Sequence, residues 1–166
     1  MELKTSRLYI RNLREDDWDK MKSLFVDFNH SKYAAYDRPL PTEDAAAEKL
    51  TKQFVASNLF FAVHLLSNNQ MIGYVCFHKD NEKYDLGYCF HSAFHSKGYA
   101  YESTRALMDY FVQEYNATVF TAGTAINNTP SRKLLEKLGF KCVSTEYLSF
   151  YENSAFESGN FILSLQ

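Results

Sequence analysis

Tyr84-Asp85-Leu86-Gly87-Tyr88-Cys89-Phe90, followed by Phe94-His95-Ser96-Lys97-Gly98-Tyr99-Ala100-Tyr101-Glu102, is the stretch that decides how this chain folds. The first segment places Leu86, Tyr88 and Phe90 on one face at the strand period, which predicts a β-strand. The second opens a helix predicted over about 99–114, with Ala100, Ser103, Ala106, Leu107, Tyr110 and Phe111 on one stripe. Gly98 and Ala100 keep the junction free of bulk. A helix start carries unpaired N–H groups and the positive end of the dipole, so such a junction can hold an anion, and Lys97 can add a full charge. The same residues also read as an ordinary strand-to-helix turn that uses Gly98 for its backbone freedom.

Upstream, the apolar segments 60–66 and 71–78 are separated by Ser67-Asn68-Asn69-Gln70, a hairpin pattern, and Asp80-Asn81-Glu82-Lys83 supplies a second turn. Downstream, 117–125 reads as a strand, so strand, helix and strand suit a parallel crossover. Asn127-Asn128-Thr129-Pro130-Ser131 then enters a helix, with Thr129 as the cap, Pro130 in the first helical position and Gly139 as the stop. Segments 141–151 and 160–165 read as the last strands, joined by a loop containing Glu152, Asn153, Ser154, Ser158 and Gly159.

Nearer the start, Leu8 and Ile10 alternate with Tyr9 and Arg11, predicting a strand over 8–13. Trp18, Met21, Phe25 and Phe28 mark an amphipathic helix over 16–28, with Asp16 or Asp17 at its cap or first turn. The irregular segment 29–41 carries Tyr33, Tyr36, Asp37 and Arg38. It is either a plain connection or a wall for a substrate, since loops held by a scaffold often carry recognition. Thr42 is the expected cap of the next helix, whose buried stripe is Ala47, Leu50 and Phe54. The expected architecture is α/β with a mixed sheet.

The 166 residues suit one domain, 1–166, with its own core. Abundant aromatics (14 Phe, 12 Tyr) point to a folded globule. A net charge of −2 argues against a general nucleic-acid or anionic-membrane binder. No apolar run approaches the roughly 20 residues of a membrane span. Met1-Glu2-Leu3-Lys4-Thr5 lacks the apolar core of a signal peptide. Cys76, Cys89 and Cys142 fall in strand patterns, so buried free thiols in a cytoplasmic protein are expected. His91 and His95 flank the loop and share no helix face, so no metal site is expected.

Three segments carry a family resemblance. His95-Ser96-Lys97-Gly98-Tyr99-Ala100 resembles the coenzyme A signature Q/R-x-x-G-x-G/A of the GCN5-related N-acetyltransferase (GNAT) superfamily, with His95 at the Q/R position. Thr5-Ser6-Arg7-Leu8-Tyr9-Ile10-Arg11 and Tyr99-Ala100-Tyr101-Glu102 are similar to T-x-R-L-x-L-R and Y-A-T-E of its RimJ/RimL-like branch. Asn128-Thr129-Pro130-Ser131-Arg132-Lys133-Leu134-Leu135-Glu136-Lys137-Leu138-Gly139-Phe140 resembles N-x-x-S-x-x-x-L-E-K-x-G-F, in fixed register.

The resemblance implies a GNAT-like acyl-CoA N-acyltransferase fold with splayed central strands. It implies direct transfer of acetyl from acetyl-CoA to a primary amine, on a protein N-terminus or a small molecule. The pantetheine arm would lie between the strands carrying Leu86–Phe90 and Val119–Ala125, beside Cys89 and Phe90, with Asn128 touching it. The loop His95, Ser96, Lys97, Gly98, Tyr99 and Ala100 would hold the phosphates. A homodimer is also compatible with the resemblance.

Transfer needs a neutral amine, a polarised thioester carbonyl and a proton for the leaving thiolate; backbone N–H donors can stabilise the oxyanion. No covalent enzyme intermediate is needed, so Cys89 is read as structural. Asp85 is the first candidate base, near the place where some family members carry a glutamate, and it also reads as a surface acid. His78 and His91 are the alternatives. Many family members place a tyrosine where this chain has Leu135. Ser131 is the remaining hydroxyl, either for the coenzyme sulfur or for the helix cap. Tyr33 and Tyr36 are the candidate acceptor contacts. A catalytically weak coenzyme A-binding module and an unrelated nucleotide-binding enzyme are the rival readings.

Overall fold

The computed structural model describes residues 1–150 and 155–165. The expected reach of a strand to Tyr151, and the loop residues Glu152, Asn153 and Ser154, lie outside the described residues. The strands are β1 (Glu2–Lys4), β2 (Leu8–Asn12), β3 (Phe60–Leu65), β4 (Met71–Asp80), β5 (Lys83–Phe90), β6 (Val119–Ala125), β7 (Lys141–Leu148) and β8 (Phe156–Ser164). The helices are α1 (Trp18–Asn29), α2 (Asp44–Ala56), α3 (Tyr99–Tyr115) and α4 (Thr129–Leu138).

The strands form one mixed sheet in the order β1-β2-β3-β4-β5-β6-β8-β7. The β3–β4 and β4–β5 turns each place an asparagine, Asn69 and Asn81, in the left-handed region that asparagine tolerates. β5 and β6 are parallel, and α3 connects them. They pair only from Lys83↔Val119 to Asp85↔Thr121. Beyond that, β5 stays on β4 as far as Gly73↔Phe90, and β6 stays on β8 as far as Ala125↔Ser158. The sheet therefore opens from Leu86 onward, as the expected splay requires.

Strand alternation sends side chains to two cores. On one face Phe77, Phe111, Phe120 and Phe161 are fully buried with Leu107 and Leu135 of α3 and α4. Phe77 and Phe111 lie 4.4 Å apart at their ring centroids. On the other face Met21, Leu24 and Phe25 of α1 meet Phe60, Ala62 and Tyr74. There Phe54 of α2 stacks on Phe60 at 4.0 Å and 9°. Each such ring contributes on the order of 1.5–3 kcal/mol by leaving water.

Several expectations shift. The buried stripe of α3 is Ser103, Thr104, Leu107, Met108 and Phe111, while Ala100, Ala106 and Tyr110 are only half-buried at its margin. α2 begins at Asp44 behind Glu43, so Thr42 is not its cap. Asn128, not Thr129, caps α4: its Oδ1 accepts from the Ser131 N–H at 3.3 Å, and Thr129 is already helical. Asp17 stands at the cap of α1 without capping it, because Arg11 takes both its oxygens. β8 starts at Phe156, so Ser158 and Gly159 belong to a strand and not to the preceding loop. Cys142 is exposed, since β7 is the sheet edge and nearly all of it faces solvent. The three-residue β1, too short to show a period, escaped the pattern reading.

Candidate active site

The parted strands open into a cleft of about 830 Å³. One end is the loop before α3. Ser96 and Gly98 both have left-handed backbones, with φ of +60° and +81°. This double turn starts α3 at Tyr99, and its first N–H groups have no partner within the helix. Ser96, Gly98, Tyr99 and Ala100 all line the cleft.

His95 also lines it, but its Nε2 donates to the Phe90 carbonyl at 2.6 Å. A carbonyl only accepts, so this nitrogen carries the proton and ties the loop to the end of β5. Lys97 departs from expectation. Its Nζ bonds the Ala93 carbonyl at 3.0 Å and sits 5.3 Å above the Phe94 ring, and Lys97 is not part of the cleft lining. The lysines that line the cleft are Lys133 and Lys137 of α4, the latter 4.2 Å above the Tyr101 ring.

The middle of the cleft is built by Tyr88, Cys89 and Phe90 of β5 facing Asn128 and Ser131. Tyr88 and Ser131 share a hydrogen bond of 2.6 Å between hydroxyls, across the gap between β5 and α4. Burial pushes the Tyr88 phenol up to about 12, so it stays protonated at neutral pH. Burial likewise pushes the Cys89 thiol up to about 12, which removes the thiolate that a nucleophile needs.

The third part carries the candidate acceptor residues. Tyr33 and Tyr36 belong to a short 3-10 turn, Lys32–Tyr36, opened by Ser31, whose hydroxyl accepts from the Tyr33 N–H. Both line the cleft with Phe54, Phe60 and Tyr74, and Tyr36 also meets Phe156 edge-on at 5.4 Å. Asp85 is placed differently. It occupies the last paired position of β5 and β6, accepts from the Thr121 hydroxyl at 2.8 Å, and is not part of the lining. Its register partner on β4 is His78, which does line the cleft. His91 caps the next 3-10 turn, accepting from the Ala93 N–H at 3.3 Å, and lies outside the cleft. Among the described residues, no group of three or more His, Cys, Asp or Glu could hold a metal ion.

Comparison with known proteins decides the family. Residues 7–141 match the Acetyltransferase (GNAT) domain. The chain belongs to this family. YnaD of Bacillus subtilis (strain 168), an uncharacterized N-acetyltransferase, is 30% identical over 148 residues, spanning 85% of this chain and 83% of YnaD. An acetyltransferase (GNAT family) from Bacillus anthracis shares the fold with a TM-score of 0.87 at 23% identity, covering 99% of this chain and 98% of that one. The RimL ribosomal L7/L12 alpha-N-protein acetyltransferase, solved in complex with coenzyme A, shares it with a TM-score of 0.85 at 16% identity, over 99% and 98%. This GNAT protein is an N-acetyltransferase with acetyl-CoA as its acetyl donor. Among the described residues no helix is long and apolar enough to cross a membrane.

Two features of the GNAT cleft escaped the sequence. The Tyr88–Ser131 bond spans 43 positions, and Tyr88 read only as one member of a strand face. Arg7 and Glu102 lie 95 positions apart and meet beside the loop, although both sit in the segments that carry the family resemblance.

Proposed function

We propose that this enzyme transfers acetyl directly from acetyl-CoA to a primary amine carried on an apolar or aromatic body, either a protein N-terminus or a small-molecule amine, in the cytoplasm. The observation that carries this is the parting of β5 and β6 after Asp85, with a left-handed loop at one end of the gap and an aromatic wall at the other. The extended pantetheine arm fits between the strands beside Cys89, Phe90 and Asn128, and the diphosphate fits the N–H groups after Ser96 and Gly98, near Lys133 and Lys137. The free thiols Cys76 and Cys89 suit a reducing compartment.

In the reaction, the amine nitrogen bonds to the thioester carbon, the C–S bond breaks, and the thiolate takes a proton. Asp85 remains the proposed base, acting through water or through its neighbour His78, which reaches the cleft. Ser131, held by Tyr88, is the proposed hydroxyl for the departing sulfur. Tyr33 and Tyr36 stand on the acceptor side.

The charge of the cleft supports this choice of acceptor. Among the described residues the carboxylates that line the cleft are Asp27 and Asp37, and Asp27 is already engaged by the Ser92 N–H and hydroxyl at 2.7 and 2.6 Å. A polyamine needs several free counter-charges, and this wall offers rings instead.

The test is calorimetric titration with acetyl-CoA alongside Gly98→Glu, followed by thiol release with a panel of peptides, aralkylamines and polyamines. Micromolar binding lost in the variant, with turnover greatest on the apolar amines, is the expected result. Binding unaffected by the variant would overturn the placement of the phosphates, and preference for polyamines would overturn the acceptor class.

A further inference from the structure

We propose that Arg7 is a positioning residue for the coenzyme's diphosphate, holding the loop in its anion-binding form and cancelling the charge of Glu102. This rests on the placement of coenzyme A proposed above. Glu102 lies in the first turn of α3, where a carboxylate would repel a phosphate arriving at the same helix end. That carboxylate is saturated from the N-terminal segment. Its Oε1 accepts from the Thr5 hydroxyl at 2.5 Å, the Ser6 hydroxyl at 3.2 Å and the Arg7 N–H at 3.1 Å. Its Oε2 accepts from Arg7 Nε at 2.7 Å and Nη2 at 2.6 Å, a two-pronged pair. Burial raises the Glu102 pKa, but the bonds from Thr5 and Arg7 outweigh it and leave the group below its ordinary value, so the charge is present and balanced.

The same guanidinium reaches the loop. Nη1 donates to the Lys97 carbonyl at 3.0 Å, and the group lies 4.6 Å over the Tyr99 ring. The Lys97–Gly98 peptide is trans, so its carbonyl and its N–H point in opposite directions. Anchoring the Lys97 oxygen on Arg7 thus fixes the Gly98 N–H facing away from Arg7. Ser96 and Gly98 line the cleft, and Lys97 between them does not. A Cβ on Gly98 would lie 3.4 Å from Arg7 Nη2, so the guanidinium packs on the bare face of the glycine.

The experiment compares Arg7→Met with the wild type using two donors: acetyl-CoA, and S-acetylpantetheine, which lacks the diphosphate. The expected result is a rise of about tenfold in KM for acetyl-CoA with kcat within about twofold, and no change in kcat/KM for S-acetylpantetheine. Adding Glu102→Gln to Arg7→Met is expected to recover part of the loss by removing the unbalanced carboxylate. Arg7→Lys, which keeps the charge without the fork, is expected to fall between. Equal losses with both donors, or no loss with either, would overturn the assignment. Titration with coenzyme A separates the two levels of the argument. A wild type that binds no coenzyme A overturns the placement itself, whereas equal binding by wild type and Arg7→Met overturns only the role of Arg7.

Discussion

Gly73 is where a single methyl group should cost most. It sits in β4 between Val63 of β3 and Phe90 of β5. A Cβ there would lie 2.5 Å from the Cys89 carbonyl oxygen and 2.5 Å from Cδ1 of Phe90. The first is backbone and moves only if β5 moves. The second belongs to the buried ring of Phe90, a residue whose backbone carbonyl also receives the His95 bond. Overpacking of this kind costs about 1–3 kcal/mol. The alanine also restricts the unfolded chain, which returns roughly 0.4–1 kcal/mol. Gly73→Ala is therefore expected to lose about 1–2 kcal/mol, and for a chain of this size each kcal/mol lowers Tm by roughly 2–4 °C. Gly123→Ala is the control. Its nearest neighbour would be Ser158 Oγ at 4.0 Å and its φ is not positive, so it is expected to be neutral or slightly stabilised. Thermal and urea unfolding of the three proteins read the difference. A Gly73→Ala protein that melts with the wild type, or a Gly123→Ala protein that falls as far, would refute the reasoning.

The remaining predictions concern charge and the cleft hydroxyls. Asp17 is 2% exposed and bonded to Arg11 Nη1 and Nη2 at 2.7 and 2.8 Å. Burial alone would raise its pKa, but Arg11 and the Arg14 N–H together hold it below the ordinary value. The sign follows: this stabilisation is present above the unfolded carboxylate value of roughly 4 and is lost as pH falls through the lower folded value. Denaturation followed from pH 7 to pH 3 should show that acid limb flattened in Asp17→Asn, and Arg11→Met should cost about 3–5 kcal/mol at neutral pH; an unchanged limb would count against the pair. For Tyr88→Phe and Ser131→Ala, thiol release at saturating acetyl-CoA should fall by about tenfold in each, with the double variant no worse than the worse single. Additive losses would show that the two hydroxyls act separately.

Legibility in the sequence tracked the range of the interaction. The β5–loop–α3 passage was readable because alternation, Gly98 and a helical stripe are local signals, and Pro130 and Gly139 bounded α4 for the same reason. The cap of α4 slipped by one residue because Asn128 and Thr129 are both capable of it, and only the backbone decides. The stripe of α3 rotated toward Thr104 and Met108 because the helix leans on Phe77 and Phe61, contacts that no periodicity contains. Cys142 read as buried because a strand pattern does not disclose that its strand is an edge. Val143 and Tyr147 of the same strand are 63% and 79% exposed. Lys97 showed its charge but not its direction, and the Ala93 carbonyl settled that. Asp85 is legible as an acid on β5, while its Thr121 partner depends on the register of a parallel pair.

The cleft is best understood as a cut in the sheet that is kept open from both banks. Two parallel strands that begin paired would gain hydrogen bonds by zipping onward, so something must hold each one away. β5 is held by β4 along its full length, and Gly73 allows the close approach at its far end. β6 is held by β8 to Ala125. The end of β5 is then pinned by His95, and the loop beyond it by Arg7 from the other side of the sequence. The Tyr88–Ser131 bond props the gap at a fixed width instead of closing it. From Leu86 onward this edge of β5 has no pairing with β6, and at its end the Phe90 carbonyl is taken by His95. The width of the gap is therefore set by the protein's own strand pairing and hydrogen bonds.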